Sequence, residues 1–340
     1  MMKKNPAVSV IIPLYNAEKY IGECLTSLVN QTFQDFEIII ADDCSTDNSR
    51  AVVENFFAHF GDRLKLMILS SNSGCSGVPR NFALKEACGK YIYFLDSDDL
   101  LTETALTELY EVAEKFNADV VHPEKCLALL DTNGIISAEP ISFQTGKFVT
   151  EPTLETFDIG KRVTDFTRKR FVWWACTKLF RHQFLVENKI TFPALKRFED
   201  FVFVFKCLVS AGNYVRVPSV NYYYRIRNDS LSHKGYNVVE LSQNVIKIFS
   251  VIDEFMHENK FFRDNPDYEY PFLDFFIEGQ LDLISEGFFM RNNLEPAEVF
   301  NFFREKIFST NPKDNVALTA YLFVATNIFK LYMKRSREQI

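Results

Sequence analysis

Carboxylates gather at three places in this chain where they could do chemistry. In the stretch Tyr91 to Leu100, YIYFLDSDDL, an apolar, aromatic run breaks abruptly into Asp96, Asp98 and Asp99. The run reads as a buried strand, and in an open α/β sheet ligands bind beyond the carboxyl ends of the strands. A D-x-D arriving there offers hard oxygen ligands to Mg²⁺ or Mn²⁺. The same residues serve equally as a solvated turn that caps the next helix. A second run, FEIIIA from Phe36 to Ala41, ends in Asp42 and Asp43. The third place is Glu199-Asp200, at the head of a segment in which Phe198, Phe201, Val202, Phe205 and Leu208 recur at helical spacing. Carboxylates in the first turn of a helix interact favourably with its dipole.

The elements around these residues alternate. VSVII, Val8 to Ile12, reads as a central strand closed by Pro13. Tyr20, Ile21, Cys24, Leu25 and Leu28 then mark a helix with Asn16 as its cap. After Phe36–Ala41 comes a helix from Asp47 through Val52, Val53, Phe56, Phe57 and Phe60, a strand over Leu64–Leu69, and a short helix over Pro79–Cys88. Thr102–Phe116 follows Tyr91–Leu95 as a helix, and Asp119–Val121 starts another strand. That rhythm indicates a doubly wound, mostly parallel α/β sheet. Its strand ends would place Asn16, Asp42 with Asp43, and Asp96 with Asp98 on one edge. Asp42 and Asp43 point opposite ways if still extended, so at most one faces a pocket there. Neither G-x-G-x-x-G after the first strand nor G-x-x-x-x-G-K-[ST] occurs, which argues against a dinucleotide fold of the usual kind and against a P-loop enzyme.

PLYNAEKYIGECLTSLVNQTFQDFEIIIADDCSTDNS, followed by NSGCSGVPRNFALKEACGKYIYFLDSDD, resembles the nucleotide-binding half of family 2 inverting glycosyltransferases with the GT-A fold, of the bacterial polysaccharide type. The resemblance runs from Val8 to about Val121. It implies a nucleotide-sugar donor, usually UDP-linked, and a divalent metal, Mn²⁺ or Mg²⁺. Carried over residue by residue, Pro13, Tyr15 and Asn16 line the nucleotide pocket, and Asp42 or Asp43 accepts from the uracil N3–H. Arg80 and Asn81 sit near the donor, Asp96 near ribose or sugar, and Asp98 on the metal. Position alone reads Arg80 as an exposed charge at a helix start. The family typically has an acidic pair after a Trp-bearing stretch and a Lys-Leu-[Phe/Tyr] segment, which Trp173, Trp174 and Lys178-Leu179-Phe180 resemble. By that likeness Asp200 is the catalytic base and Glu199 orients sugar or acceptor, while the two Trp form an aromatic wall or pack in the core. Tyr222-Tyr223-Tyr224-Arg225 and the following Ser230, Ser232 and His233 resemble a segment that folds over the diphosphate. Arg225 and Arg227 are the candidates for phosphate oxygens. His233 is either a further metal ligand or a loop histidine.

These readings divide the chain into residues 1–123, the nucleotide-sugar-binding half; 124–235, the acceptor and catalytic-base half; and 236–340, a helical C-terminal region. Asp131-Thr132-Asn133-Gly134 signals a hairpin, and no chemistry is assigned between Glu124 and Arg170. The 35 Phe residues imply either a bulky helical core or a greasy surface in the second half. A net charge of −7 gives no electrostatic case for nucleic acid. Seven scattered cysteines without C-x-x-C fit reduced thiols in a cytoplasm and argue against structural zinc. No signal peptide or membrane-spanning run is expected. The apolar Val316–Phe329 segment, followed by Lys330, Lys334, Arg335 and Arg337, reads as a packed terminal helix, a subunit contact in a homo-oligomer, or a peripheral contact with an anionic membrane.

The expected activity is hexosyl or N-acetylhexosaminyl transfer to a saccharide or lipid-linked saccharide acceptor, in cell-surface polysaccharide or glycoconjugate synthesis. The rivals are a sugar nucleotidyltransferase, which would carry a Gly- and basic-rich phosphate loop where this chain has PLYNAEKY, and a non-catalytic nucleotide-sugar-binding protein. The absence of Q-x-x-R-W argues against a processive synthase.

Overall fold

The structure, a computed structural model, describes residues 5–132, 135–141, 146–226 and 238–268. Arg227, His233, the Asn133-Gly134 turn and the basic C-terminal segment lie outside the described residues. The elements run β1 (Val8–Leu14), α1 (Ile21–Val29), β2 (Phe36–Asp42), α2 (Ser49–Glu54), α3 (Phe57–Phe60), β3 (Leu64–Ile68), α4 (Gly77–Leu84), β4 (Tyr91–Phe94), β5 (Leu100–Leu101) and α5 (Ala105–Phe116). They continue with β6 (Val120–Thr132), β7 (Ile135–Ile141), β8 (Thr153–Leu154), α6 (Ile159–Thr167), β9 (Leu179–Arg181), α7 (His182–Glu187), α8 (Glu199–Ser210), β10 (Tyr214–Arg225), α9 (Val238–Glu258) and α10 (Lys260–Asp264).

One sheet carries the strands in the order β3-β2-β1-β4-β9-β6-β10-β5, with β7 paired to β6 and β8 to β10. The β3-β2-β1-β4 side is parallel, as the alternating pattern requires. Beyond it β9 runs antiparallel to both β4 and β6, β10 is parallel to β6, and β5 is antiparallel to β10. The sheet is therefore parallel in its first half and mixed in its second. β1, β2 and β4 are buried on both faces, which is why they read as unbroken apolar runs. One face packs Val10, Ile12, Ile38, Ile40 and Tyr93 together with Leu25 and Leu28 of α1 and with Leu106 and Leu109 of α5. Aromatic rings cover the other face. Phe94 meets Phe180 and Phe203 at centroid distances of 5.9 and 5.6 Å, and Phe192 stacks flat on Phe203 at 3.9 Å. Apart from the half-buried Phe198, the Phe residues between 171 and 205 are thus core, not surface.

Several boundaries differ from expectation for local reasons. β1 runs through Pro13 to Leu14. The Ile11 carbonyl accepts from Leu95 N and the Leu14 carbonyl from Asp43 N. The Pro13 nitrogen therefore faces the β4 side, beyond the last β1–β4 pair, where no ladder bond is lost. Asn16 does not cap α1, which starts at Ile21, with the N–H groups of Tyr20 and Ile21 turning back to the Ala17 carbonyl. The helix expected from Asp47 breaks in two, because Phe56 N bonds to Val53 O in a tight closing turn. The hairpin forms from β6 and β7.

The chain separates into two compact units, Met1–Arg227 and Asn228–Ile340. In the second, Ile248, Ile252 and Met256 of α9 are buried at four-residue spacing. Among the described residues, no helix is long and apolar enough to cross a membrane.

Candidate active site

The turn after β4 is built from the inside out. Asp99 N closes onto Asp96 O at 3.1 Å. The Asp99 side chain points inward, where it accepts from Tyr222 Oη at 2.6 Å and from Arg225 N at 2.7 Å. Burial, then the charges of Asp98 and Asp96, push its carboxyl well above the ordinary range. Arg225 was expected on phosphate. Instead its Nε donates to the Asp98 carbonyl at 2.9 Å, and its terminal nitrogen pairs with Glu23 at 2.5 Å. Its guanidinium also lies over the Tyr20 ring, so it is committed to shaping the acidic turn.

Asp98, in a turn crowded by Asp96 and Asp99, suits a hard divalent cation, whose charge would relieve the repulsion among them. Among the described residues, no group of three His, Cys, Asp or Glu side chains could hold a metal by itself. The donor set thus fits an ion held by Asp98 together with substrate phosphates, the usual mode for Mg²⁺.

Arg80 ties this turn to the start of α8. It is 2% exposed, not the surface charge its position suggested. One terminal nitrogen donates to Asp96 Oδ1 at 2.6 Å, and the other to Asp200 Oδ1 at 2.7 Å and Glu199 Oε1 at 3.2 Å. The guanidinium lies 5.0 Å from the Phe192 ring centroid, a cation–π distance. Asp200 Oδ2 accepts from Ala175 N at 3.1 Å, and Ser76 Oγ donates to Glu199. Phe198, just before α8, is left-handed with φ 64°, which sets the angle at which the acidic pair enters. Burial, reinforced by the Asp200 charge, lifts Glu199 to about 7. Burial also lifts Asp200, against the pull of Arg80. Beside the pair, Trp173 packs edge-on to Phe201 and Trp174 stacks on Tyr224 at 5.5 Å.

At the β1 and β2 ends the polar residues stitch loops together. Asn16, left-handed with φ 47°, accepts from Thr46 N at 2.8 Å. Asp42 is fully buried, accepts from Ser45 N and pairs with Arg50 at 2.6 Å. Asp43 accepts from Ser73 N at 2.8 Å, from Ser73 Oγ and from Asn72 Nδ2, anchoring the loop before α4. Pro13 is buried, and Tyr15 stands 51% exposed at the strand end. Asn81, expected near the donor, spends its amide on the backbone of Phe192, donating to the carbonyl at 2.8 Å and accepting from the N–H at 3.0 Å. That segment is held where Arg80 can lie on the Phe192 ring.

Residues 9–165 match the model for "Glycosyl transferase family 2". The poly(ribitol-phosphate) β-N-acetylglucosaminyltransferase TarP of Staphylococcus aureus is 30% identical over 256 residues, which span 74% of this chain and 71% of that protein. The chain belongs to the family 2 glycosyltransferases. Two further family relatives are longer. TarS of S. aureus, named for the same activity, is 33% identical over 65% of this chain and 36% of its own length. A poly(ribitol-phosphate) β-glucosyltransferase of Bacillus spizizenii is 34% identical over 65% of this chain and 32% of its own. The chain thus spans about a third of the length of these two relatives. The structure of S. aureus TarS 1–349 in complex with UDP-GlcNAc shares the fold, with a TM-score of 0.71 at 24% identity over 98% of this chain and 92% of that one. A mannosyltransferase from Pyrobaculum calidifontis, in complex with GDP-Man and Mn²⁺, gives 0.50 at 16% identity over 95% and 87%.

For this family member, sequence reasoning placed Asp96, Asp98, Glu199 and Asp200 at element ends but missed what joins them. Arg80 had a signal: Gly77, Arg80 and Ala83 recur every third residue on the buried side of α4, so a charge stood at a core position. Glu23 and Ser76 had none.

Proposed function

We propose that this protein transfers a hexosyl or N-acetylhexosaminyl group from a UDP-sugar to a hydroxyl of a cell-surface glycopolymer or its lipid-linked precursor, with inversion at the anomeric carbon. The relatives' names favour glucose or N-acetylglucosamine as the sugar and a polyol-phosphate chain as acceptor. One observation carries the reading. A single buried guanidinium joins Asp96, from the turn after β4, to Asp200, at the head of α8. Donor and acceptor groups therefore meet over one rigid link.

In this reading Asp200 accepts the proton of the acceptor hydroxyl as that oxygen bonds to the anomeric carbon. The bond from that carbon to the diphosphate breaks, and its electron pair leaves on the phosphate oxygen. Burial supports the role, because it moves a carboxylate toward the working pH, where general-base catalysis is most effective. Both Asp200 oxygens already accept one hydrogen bond, but each keeps a lone pair for the incoming proton. Glu199, lifted to about 7, carries a proton for much of the neutral range and so spares Asp200 a second full negative charge beside it. The Trp174–Tyr224 stack offers a flat face for a sugar ring. A divalent cation on Asp98 would supply charge neutralisation for the departing diphosphate. The first unit works at the cytoplasmic face, where nucleotide sugars are made.

The test incubates the full chain with UDP-GlcNAc, UDP-glucose or GDP-mannose, Mn²⁺ and a poly(ribitol phosphate) acceptor. Nucleotide release is followed, and the product's anomeric configuration is read by NMR. Acceptor-dependent UDP release, a β-linked product from the α-linked donor, and loss of turnover on chelation are expected. Asp200→Asn should lower turnover by roughly two to four orders of magnitude with UDP affinity nearly unchanged. No release from any nucleotide sugar would overturn the reading.

A further inference from the structure

Lys178 is a charged residue that the reading above leaves idle, yet it is 0% exposed. It joins a one-turn 3₁₀ helix, Ala175–Thr177, to β9, the strand between β4 and β6. Its ammonium donates to the Trp174 carbonyl at 2.6 Å and lies 3.4 Å from Thr177 Oγ1. Its own N–H bonds to Ala175 O at 3.1 Å. Backbone and side chain of one residue therefore close the same turn. That turn presents two things to the site: the Ala175 N–H on Asp200 Oδ2, and the Trp174 ring on Tyr224.

A side chain needed only for packing would serve better as Met. Removing an ammonium from water is expensive, and burying it is favourable only where its hydrogen bonds and charge partners are well placed. The groups facing Lys178 are the thiols of Cys126, Cys176 and Cys207, the His122 imidazole and the Asp200 carboxylate. Burial brings the ammonium down to about 7, while Cys176 and Asp200 act to keep it charged.

We propose that Lys178 is the positioning residue for Asp200, fastening the 174–177 turn so that the Ala175 N–H holds the carboxylate in its working orientation. This rests on the reading of Asp200 as base. A second effect comes from charge. Among the described residues, Arg80, Asp96, Glu199 and Lys178 act on Asp200 through their charge, and Lys178 and Arg80 are the cations of that set. Its removal, and a slackened Ala175 N–H bond, would both make Asp200 harder to ionise.

The experiment compares Lys178→Met and Lys178→Gln with the parent in the full chain. It measures thermal unfolding, UDP affinity, the pH dependence of kcat, and the ¹³C-NMR titration of the Asp200 carboxyl, assigned by its absence in Asp200→Asn. For Lys178→Met the expected results are a cooperatively folded protein and unchanged UDP affinity. Its kcat should fall roughly tenfold to a hundredfold. The Asp200 midpoint and the acid limb of kcat should rise by about one pH unit. Lys178→Gln can still donate to the Trp174 carbonyl, so it should regain part of kcat and keep only the part of the raised midpoint that comes from the lost charge. An unmoved Asp200 midpoint in Lys178→Met overturns the proposal, as does failure of both variants to fold, which would make Lys178 a structural anchor. Full turnover in Asp200→Asn would sink the base reading alone, since the carboxyl titration still reports whether Lys178 governs Asp200.

Discussion

At the scale of single residues, the site is a competition for one guanidinium. Arg80 serves Asp96, Glu199 and Asp200 together, and one positive charge cannot neutralise three negative ones. Glu199 yields, because burial and the Asp200 charge raise it to about 7 from an ordinary 4.5. The sign of the consequence for stability follows. A carboxyl whose folded pKa is raised binds its proton more tightly in the native state, so its contribution is full below about 4.5 and fades as pH climbs through about 7. Glu199→Gln keeps an oxygen for Ser76 Oγ and removes this titration. Urea midpoints measured across that window should therefore move in the variant's favour as pH rises, then stay level. A gap moving the opposite way would mean that Glu199 is ionised and held by Arg80.

At the scale of elements, α4 is pressed against the segment before α8. A Cβ on Gly77 would lie 2.9 Å from the Pro193 carbonyl oxygen and 3.0 Å from Phe192 Cβ. Four residues on, Asn81 clamps the Phe192 backbone to the same helix. Backbone pinned in this way cannot retreat from an added methyl, so Gly77→Ala must shift α4 and carry Arg80 with it. We expect a loss of about 1–3 kcal/mol in urea denaturation. A fall in kcat should accompany it, because Arg80 moves with α4 and is bonded to Asp200. Equal stability and kcat in this variant would show that the 192–193 segment gives way freely.

At the scale of the whole molecule, the sheet gathers the site from distant stretches: β4 brings the acidic turn, β9 the turn before it, and β10 the residues that hold Asp99. The second compact unit carries Lys330, Lys334, Arg335 and Arg337 behind an apolar stretch, which suits reversible contact with an anionic lipid surface. The full chain should co-sediment with phosphatidylglycerol vesicles at low salt and release as salt rises. A variant with those four residues replaced by Gln should stay in solution. Equal binding by both would assign the contact to another part of the chain.

The amino-acid sequence by itself determined the alternation of strands and helices, because a strand buried on both faces must be apolar throughout and an amphipathic helix must repeat its stripe. It also determined where the carboxylates fall, since they stand at the ends of those runs. Family membership was legible for the same reason: Asp96, Asp98, Glu199 and Asp200 sit within local motifs. Only the tertiary structure decided what each polar group is bonded to. Arg80 meets Asp200 across 120 positions, and Arg225 meets Glu23 across 202. Asn81, which the resemblance set near the donor, holds the Phe192 backbone, and Asp42, one of two candidates for the uracil, pairs with Arg50. Periodicity reports how a side chain faces its own element. Its partner is set by which strands lie side by side, and here that order places β9 between β4 and β6 and so puts Lys178 and Ala175 beneath the carboxylate of α8.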